Sequence, residues 1–504
     1  MVMACLTVTA QVKVWSLPEK DAPYRSDAYE VSVRAEGDTE WKQVEVLRCD
    51  VDLKRVQQAA FAEFDMQGKA YVRVKSERLR VGDGTSGIKY KVENIIVRPS
   101  SRNITPKRID DETIEIILDK HEYLSVEFDG DRTHNLHIFA NPVQTLSPLP
   151  RNGEGLATLD SCAQLPTSII ESLPSRGDLE GSVITWQGEN SQDVFVQNAR
   201  FIYFGPGVHK PKDLPSEEIK IPSNCTVYLA PGAVVKARLI VDRAENVRII
   251  GRGILDHPLR GIEITYSKNV LVDGITVLNP AHYTVFGGQS EHITIRHIKS
   301  FSARSWSDGI DLMCCRHAKV EDCFLRTSDD CIALYNHRWW YWGGSEDIEV
   351  TRCTFWPDVA HPVNMGSHGD DRSETGEALS NVRIHDCDIL YARTNAALYI
   401  SCGDKNWVHD VHFNNIRIEG LERTALFGII IAFSDKYNRA PGNGVDDIEY
   451  TNIHYTGDPA QVLGSFIHNY DDTHVVGQNI RFSNITVNGQ AYPIQRDNIF
   501  KGNK

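Results

Sequence analysis

The chain has 504 residues, of which 41% are hydrophobic and 24% charged, and a formal net charge of −14. That length exceeds what one ordinary hydrophobic core fills, so two domains or an elongated architecture are expected. The acidic balance argues against nucleic acid and anionic membrane as partners, and no apolar run approaches the roughly eighteen residues of a membrane span.

The amino terminus, MVMACLTVTAQVKVW, alternates apolar and polar residues and lacks both a basic segment and a cleavage-like site. It reads as a first strand rather than a signal peptide. Eleven cysteines, an odd number without metal-ligand spacing, fit reduced thiols and a cytoplasmic location. A signal removed from the chain would turn that expectation to secretion. Residues 1–145 contain VEVLRCDVDL, KAYVRVKS, NIIVRPSS, ETIEIILD, LSVEFDG and LHIFANP, short β-rich runs separated by polar turns. Their spacing predicts an N-terminal β-sandwich domain. FAEF at Phe61–Phe64 carries a weak helical pattern. Residues 146–200 open with the Pro/Gly-rich LSPLPRNGEG and read as a linker leading into a second domain, with parts that fit a helix or a capping loop.

From Phe201 to the C-terminus the character changes. Strand–Pro-Gly–strand units (FIYFGPGVH, VYLAPGAVVKARLIV) give way to a repeat of apolar–x–apolar–x–polar–apolar. Its copies begin at Val247, Val270, Ile293, Ala318, Ile348, Val382, Val411, Ile448 and Ile480, 23 to 37 residues apart. One such strand cannot bury its own apolar side, whereas stacked copies bury a continuous core. Turn-tolerant residues (Gly251, Gly274, Asp322, Asp386, Asn415, Asn452, Asn484) mark a bend within the unit. The fold class is therefore all-β, a right-handed parallel β-helix over residues 201–504; the handedness follows the general preference of parallel connections. Cys323, Cys353 and Cys387 share one repeat position and should stack inside the solenoid as small hydrophobes.

The copies beginning at Ile293 and Ala318 lead into strands that open SDGID and SDDCIAL. Adjacent parallel strands lie about 4.8 Å apart, so Asp308, Asp329 and Asp330 should share one site. Like charges that close cannot all ionise, and at least one pKa should rise. A protonated acid beside ionised carboxylates suits glycosidic hydrolysis, with the acid protonating the leaving oxygen and the others activating water. For inversion the acid–base gap should be about 6.5–9.5 Å. The rival is a calcium site of the β-helix lyase sort, but no Arg or Lys is clearly placed as its base. No metal and no cofactor are expected. After the Asp329 strand comes His337-Arg338-Trp339-Trp340-Tyr341-Trp342, an aromatic loop able to stack on sugar rings.

The order SDGID, SDDCIAL, AHPVNMGSHG resembles the polygalacturonase-type glycoside hydrolases of family 28, over residues of about 200 to 490. The resemblance implies that Asp329 is the general acid, that Asp308 and Asp330 hold and deprotonate the attacking water, and that the anomeric centre inverts. His361 aligns with the family's motif histidine. Trp306 replaces the Asn of its NTDG motif, and its basic RIK signature falls on Leu398, Tyr399 and Ile400. Losing that Arg and Lys removes the charge-assisted pair that a uronate needs. Arg393 and Lys405 are the nearest basic residues in sequence. The whole chain looks more like the dextranase/isopullulanase family 49 of the same clan, with its N-terminal sandwich and a proline-containing strand ending in MG, as in HPVNMG.

The reading from sequence is thus an inverting hydrolase of α-glycosidic bonds in a neutral, α-glucan-like oligo- or polysaccharide. Asp308, Asp329 and Asp330 are its catalytic candidates. Trp306, His282, Trp339, Trp340, His361, Asn364 and Tyr399 are its substrate-binding candidates. The alternatives are a pectic, uronate-directed hydrolase and a non-catalytic glycan-binding β-helix. The partner is carbohydrate; the sequence specifies no oligomeric state.

Overall fold

The computed structural model describes residues 9–77, 92–144, 183–186, 201–210, 217–434 and 436–494. The first unit is two facing sheets. Six strands (Gln11–Lys13, Val46–Val51, Gln57–Gln67, Ile95–Arg98, Glu122–Phe128, Leu136–Pro142) form one, and five (Tyr29–Ala35, Lys42–Val44, Ala70–Ser76, Lys107–Arg108, Thr113–Leu118) form the other. Alternate residues of each, such as Val33, Val72 and Ile116 against Phe64, Val126 and Ile138, fill the space between them. Pairing is antiparallel except between Leu136–Pro142 and Gln57–Gln67, which run parallel. Residues 1–8 of the expected first strand lie outside the described residues.

The FAEF segment is not helical; it lies within the eleven-residue strand Gln57–Gln67. This strand is buried on both faces. Ala60, Ala62 and Phe64 point into the sandwich, while Ala59 and Phe61 point at the second unit. A strand covered on both sides loses its apolar–polar alternation, so the period that would have identified it is missing.

The second unit is a parallel β-helix. Its nine repeat copies stack in register: Val247 pairs with Val270, Val270 with Ile293, and so on through Ala318, Ile348, Val382, Val411 and Ile448 to Ile480. Within each coil the strand bends at a residue of positive φ. Gly251, Gly274, Asp322, Asp386, Asn415, Asn452 and Asn484 occupy this bend, and His297 and Arg352 fill it in the two other coils. At Gly251 glycine is obligatory, because a Cβ there would stand 1.9 Å from the Leu229 carbonyl oxygen. Cys323, Cys353 and Cys387 are buried in the solenoid core, and all nine described cysteines are free. The strand Val183–Trp186 pairs in parallel with Phe201–Phe204, so solenoid pairing begins inside the stretch assigned from sequence to a linker, helix or loop; most of that stretch lies outside the described residues. No helix among the described residues is long and apolar enough to cross a membrane.

The sandwich docks on one wall of the solenoid. Phe61 and Phe139 meet Phe301, Phe324 and Trp356, each contributed by a different coil. Buried ion pairs Asp65–Arg252 (2.7 Å) and Glu63–Lys299 (2.5 Å) cross the same interface. The wall that carries the candidate site is a separate parallel sheet. Its successive strands include Ile262–Thr265, Val285–Gly288, Ile310–Met313, Ile332–Tyr335, Val363–Met365, Ala396–Cys402 and Thr424–Ile431.

Candidate active site

Register brings the acids together. Ile310 pairs with Ile332 and Ile332 with Val363, which places the residues heading these strands in one column. The backbone continues the ladder through it: Thr284 N–H donates to the Asp308 carbonyl (2.9 Å), Gly309 to that of Asp330 (2.8 Å), and Cys331 to that of His361 (2.8 Å). One carboxylate oxygen each of Asp308, Asp329 and Asp330 lies within 4.8 Å of the other two. It is a nearest-oxygen distance, whereas the roughly 6.5–9.5 Å of an inverting pair runs between whole carboxyl groups. The strands start on consecutive rungs, and nothing spreads the column.

The three carboxyls are not equivalent. Asp330 is almost wholly buried, which pushes its pKa up, but His361 and Asn364 outweigh burial and hold it low. Its Oδ1 accepts from the His361 backbone N–H (2.8 Å) and faces His361 Nδ1 (2.8 Å); its Oδ2 accepts from Asn364 Nδ2 (2.7 Å). Asp329 has fewer: its Oδ1 accepts from the Asp330 backbone N–H (3.1 Å), with no side-chain donor. Burial and the neighbouring Asp330 charge raise its pKa to about 6. Asp308 is raised well above the carboxylate range by burial, then by Asp311, Asp329 and Asp330. Asp311, one strand position further in, is also buried and raised, with Arg338 pulling it back. The cluster thus pairs one carboxyl held ionised with an adjacent one held protonated, the division of labour that acid–base hydrolysis needs. Three oxygens this close could also ligate a divalent cation, with His361 and Asn364 orienting Asp330 through its two oxygens.

These acids form the floor of a cavity of about 680 Å³, also lined by His282, Trp306, His361, Asn364 and Tyr399. His361 stacks on Tyr399 with ring centres 4.7 Å apart, which fixes the imidazole against Asp330. Asn364 lines the cavity but spends its amide on Asp330, so it positions the base rather than offering that group to a ligand. Trp306 is half exposed on the rim, with Lys436 over its ring. His282 has an unpartnered buried Nδ1, and burial with Arg260 and Arg338 nearby lowers its pKa to about 4.

Trp339 and Trp340, expected as sugar platforms, do not line the cavity. Trp339 stacks instead on Tyr283 (5.9 Å) and edge-on to Phe286, and Trp340 leans on Trp339 and Tyr341. The loop folds back because Arg338 and Tyr341 pair across it. The strand expected to carry the basic signature also needs correcting. Leu398 and Ile400 point into the solenoid core, and the side chains it offers the cavity are Tyr399 and Ser401. Both are neutral, so the missing basic pair stands, displaced by one residue. Arg393 pairs with Asp52 of the sandwich (2.9 Å), and Lys405 donates to the Ser373 carbonyl (2.8 Å); neither enters the cavity.

Sequence reasoning missed the opposite wall, where Phe433, Tyr437, Asn438, His468, Asn469 and Tyr470 come from loops far along the chain. It also gave no role to Arg338, the one Lys or Arg side chain lining the cavity among the described residues. Its signal was present: a basic residue at the head of the loop that directly follows the Asp329–Asp330 strand.

Fold and site together are those of a parallel β-helix similar to the polygalacturonase/dextranase clan of glycoside hydrolases. The model for glycosyl hydrolases family 28 matches residues 222–463, a stretch that includes the three acids. A polygalacturonase of Chamaecyparis obtusa is 24% identical over 206 residues, covering 40% of this chain and 38% of the relative. An exopolygalacturonase of Arabidopsis thaliana is 24% identical over 219 residues, covering 41% of this chain and 47% of the relative. The chain thus spans less than half the length of these relatives. Dex49A from Penicillium minioluteum superposes with a TM-score of 0.50 at 13% identity, covering 91% of this chain and 94% of that one, a likeness of fold alone.

Proposed function

We propose that the protein is an inverting glycoside hydrolase acting on a uronate-containing, oligogalacturonide-like α-glycan. The observation that carries hydrolysis is the split between Asp329, raised to about 6, and Asp330, held ionised by His361 and Asn364, on one cleft wall. Asp329 protonates the leaving oxygen. Asp330, with Asp308 beside it, takes a proton from the attacking water. The uronate preference is supported by the family 28 match and the polygalacturonase relatives. The neutral-glucan reading rested on the missing basic pair and on the two-domain layout shared with Dex49A, and layout does not choose a sugar.

One observation favours a second mechanism. Carboxyls whose nearest oxygens lie within 4.8 Å are close enough for a retaining pair, in which a carboxylate attacks the sugar directly. For substrate, the test is a side-by-side assay on oligogalacturonides and neutral α-gluco-oligosaccharides, with and without EDTA. Turnover of galacturonides that survives chelation is expected. Turnover of the glucans alone would overturn the uronate reading, and loss to EDTA restored by calcium would replace the mechanism with a metal-dependent one.

A further inference from the structure

The buried arginines among the described residues each have a polar partner. Arg252 donates to Asp65 and to the Pro142 carbonyl, each at 2.7 Å. Arg326 donates to Asn135 Oδ1 (3.0 Å) and the Arg132 carbonyl (2.8 Å). Arg338 is half-buried, yet among the described residues its guanidinium forms no hydrogen bond and no ion pair. Rings surround it, its guanidinium carbon lying 4.9 Å from the centre of Tyr335, 5.3 Å from Trp339 and 5.6 Å from Tyr283, while the Asp311 and Asp308 carboxyls attract it without reaching it. The backbone pins it as well, through Arg338 N–H to the Tyr341 carbonyl (3.3 Å) and Tyr341 N–H to the Arg338 carbonyl (3.1 Å).

This is the arrangement of a receptor waiting for a partner. A guanidinium offers five N–H donors in a planar fork that matches a carboxylate, and aromatic walls fix the plane while excluding water. Here the donors face the cavity, where a carboxylate that displaces water can claim them. The group lines the same cavity as Asp308, Asp329 and Asp330, so a ligand spanning the acids comes within its reach. The strand Ala396–Cys402 presents only Tyr399 and Ser401 to that cavity, so no second cation from there competes for an anionic ligand.

We propose that Arg338 is the carboxylate receptor of the cleft, taking the acidic group of a uronic-acid residue in the place of the basic pair that the Ala396–Cys402 strand lacks. This rests on the uronate reading above and adds to it the residue that enforces it. The aromatic loop then has its purpose: Trp339 packs behind the guanidinium instead of under a sugar.

The test compares wild type, R338Q and R338K on an oligogalacturonide and on the same oligomer with methyl-esterified carboxyls, with thermal denaturation of each protein. Wild type is expected to prefer the free acid. R338Q should lose at least about 30-fold in kcat/KM on the acid, as truncating one side of a buried charge pair does, and less than about threefold on the ester. R338K should keep kcat within about threefold on the acid while KM rises, because charge is retained but the fork is lost. Equal loss by R338Q on acid and ester would overturn the receptor role alone, since Arg338 would then act only through the aspartates. Should R338Q not fold, an unchanged KM in R338K overturns it. A wild type that turns over neutral glucans and no uronide would instead overturn the uronate reading, and the receptor with it.

Discussion

The solenoid uses aspartate in two columns, and the same residue behaves in opposite ways in them. At the bends, Asp322 and Asp386 adopt φ near +54° and +57°, stand partly in solvent and are met by partners. Arg352 reaches Asp322 (2.8 Å), while Asp386 faces His385 Nδ1 (2.7 Å) and accepts from Asn415 (2.5 Å). Asp386 is part-buried, but His385 and Asn415 outweigh that and hold its carboxyl below the usual range. At the strand heads, Asp308 and Asp329 are buried beside further acids and are raised. Asp330, at the same strand head, is held low by His361 and Asn364, so it is the balance of donors against burial and like charge, not the column alone, that makes a carboxyl a base or a proton donor.

The largest effect should come from setting one column against the other by substitution. D329N should lose about 10²–10⁴-fold in kcat on the true substrate, the contribution of a positioned general acid, while D322N stays within a few-fold of wild type. Steady-state rates with thermal denaturation check this, and equal losses would break the distinction.

Stability should invert the ranking. Asp329 has a folded pKa near 6, above its unfolded value near 3.8, so the native state holds a proton that the unfolded chain releases. Wild type therefore loses stability as pH rises between these values, by about 3 kcal/mol for a two-unit shift. D329N escapes this, so it should be the more stable protein above pH 6, with the advantage gone below about pH 4. Denaturant melts at pH 4 and pH 7 read it directly.

Next in size is the base. N364A removes a hydrogen bond to an ionised carboxylate, worth about 1.5–3 kcal/mol, so the Asp330 pKa should rise by a unit or more. The acidic limb of the kcat/KM profile should move up by that amount while the alkaline limb, set by Asp329, stays near pH 6. The smallest effect belongs to the bend column: D386N should change stability by less than about 1 kcal/mol and leave rates untouched, since Asn tolerates the same backbone and the surface pair with His385 is screened.

The parts of the molecule most legible in its sequence are those with a strict period. The nine repeat starts pair as read, and the bend residues recognised by type sit at positive φ, because stacking forces every coil to solve the same problem with the same residues. Asp308, Asp329 and Asp330 could be joined for that reason. FAEF was misread because burial on both faces erased its period. Trp339 and Trp340 fall outside the cavity lining because composition says that a ring can stack, not on what; here Trp339 lies against Arg338 and Trp340 against Trp339. The off-by-one placement of Leu398 and Ile400 follows from the two-residue period of a strand, where a shift of one turns cleft into core. The wall of Phe433 and Tyr470 is built by loops whose meeting depends on solenoid geometry that no local pattern carries.

The division of roles between Asp329 and Asp330 is tested most directly by NMR of the first-formed anomer during hydrolysis of an oligogalacturonide by the wild-type protein. If Asp330 activates water while Asp329 protonates the leaving oxygen, an α-linked substrate yields the β-anomer first, and the α-anomer grows in only by mutarotation. A first-formed α-anomer would mean that a carboxylate attacks the sugar itself, and would contradict the account.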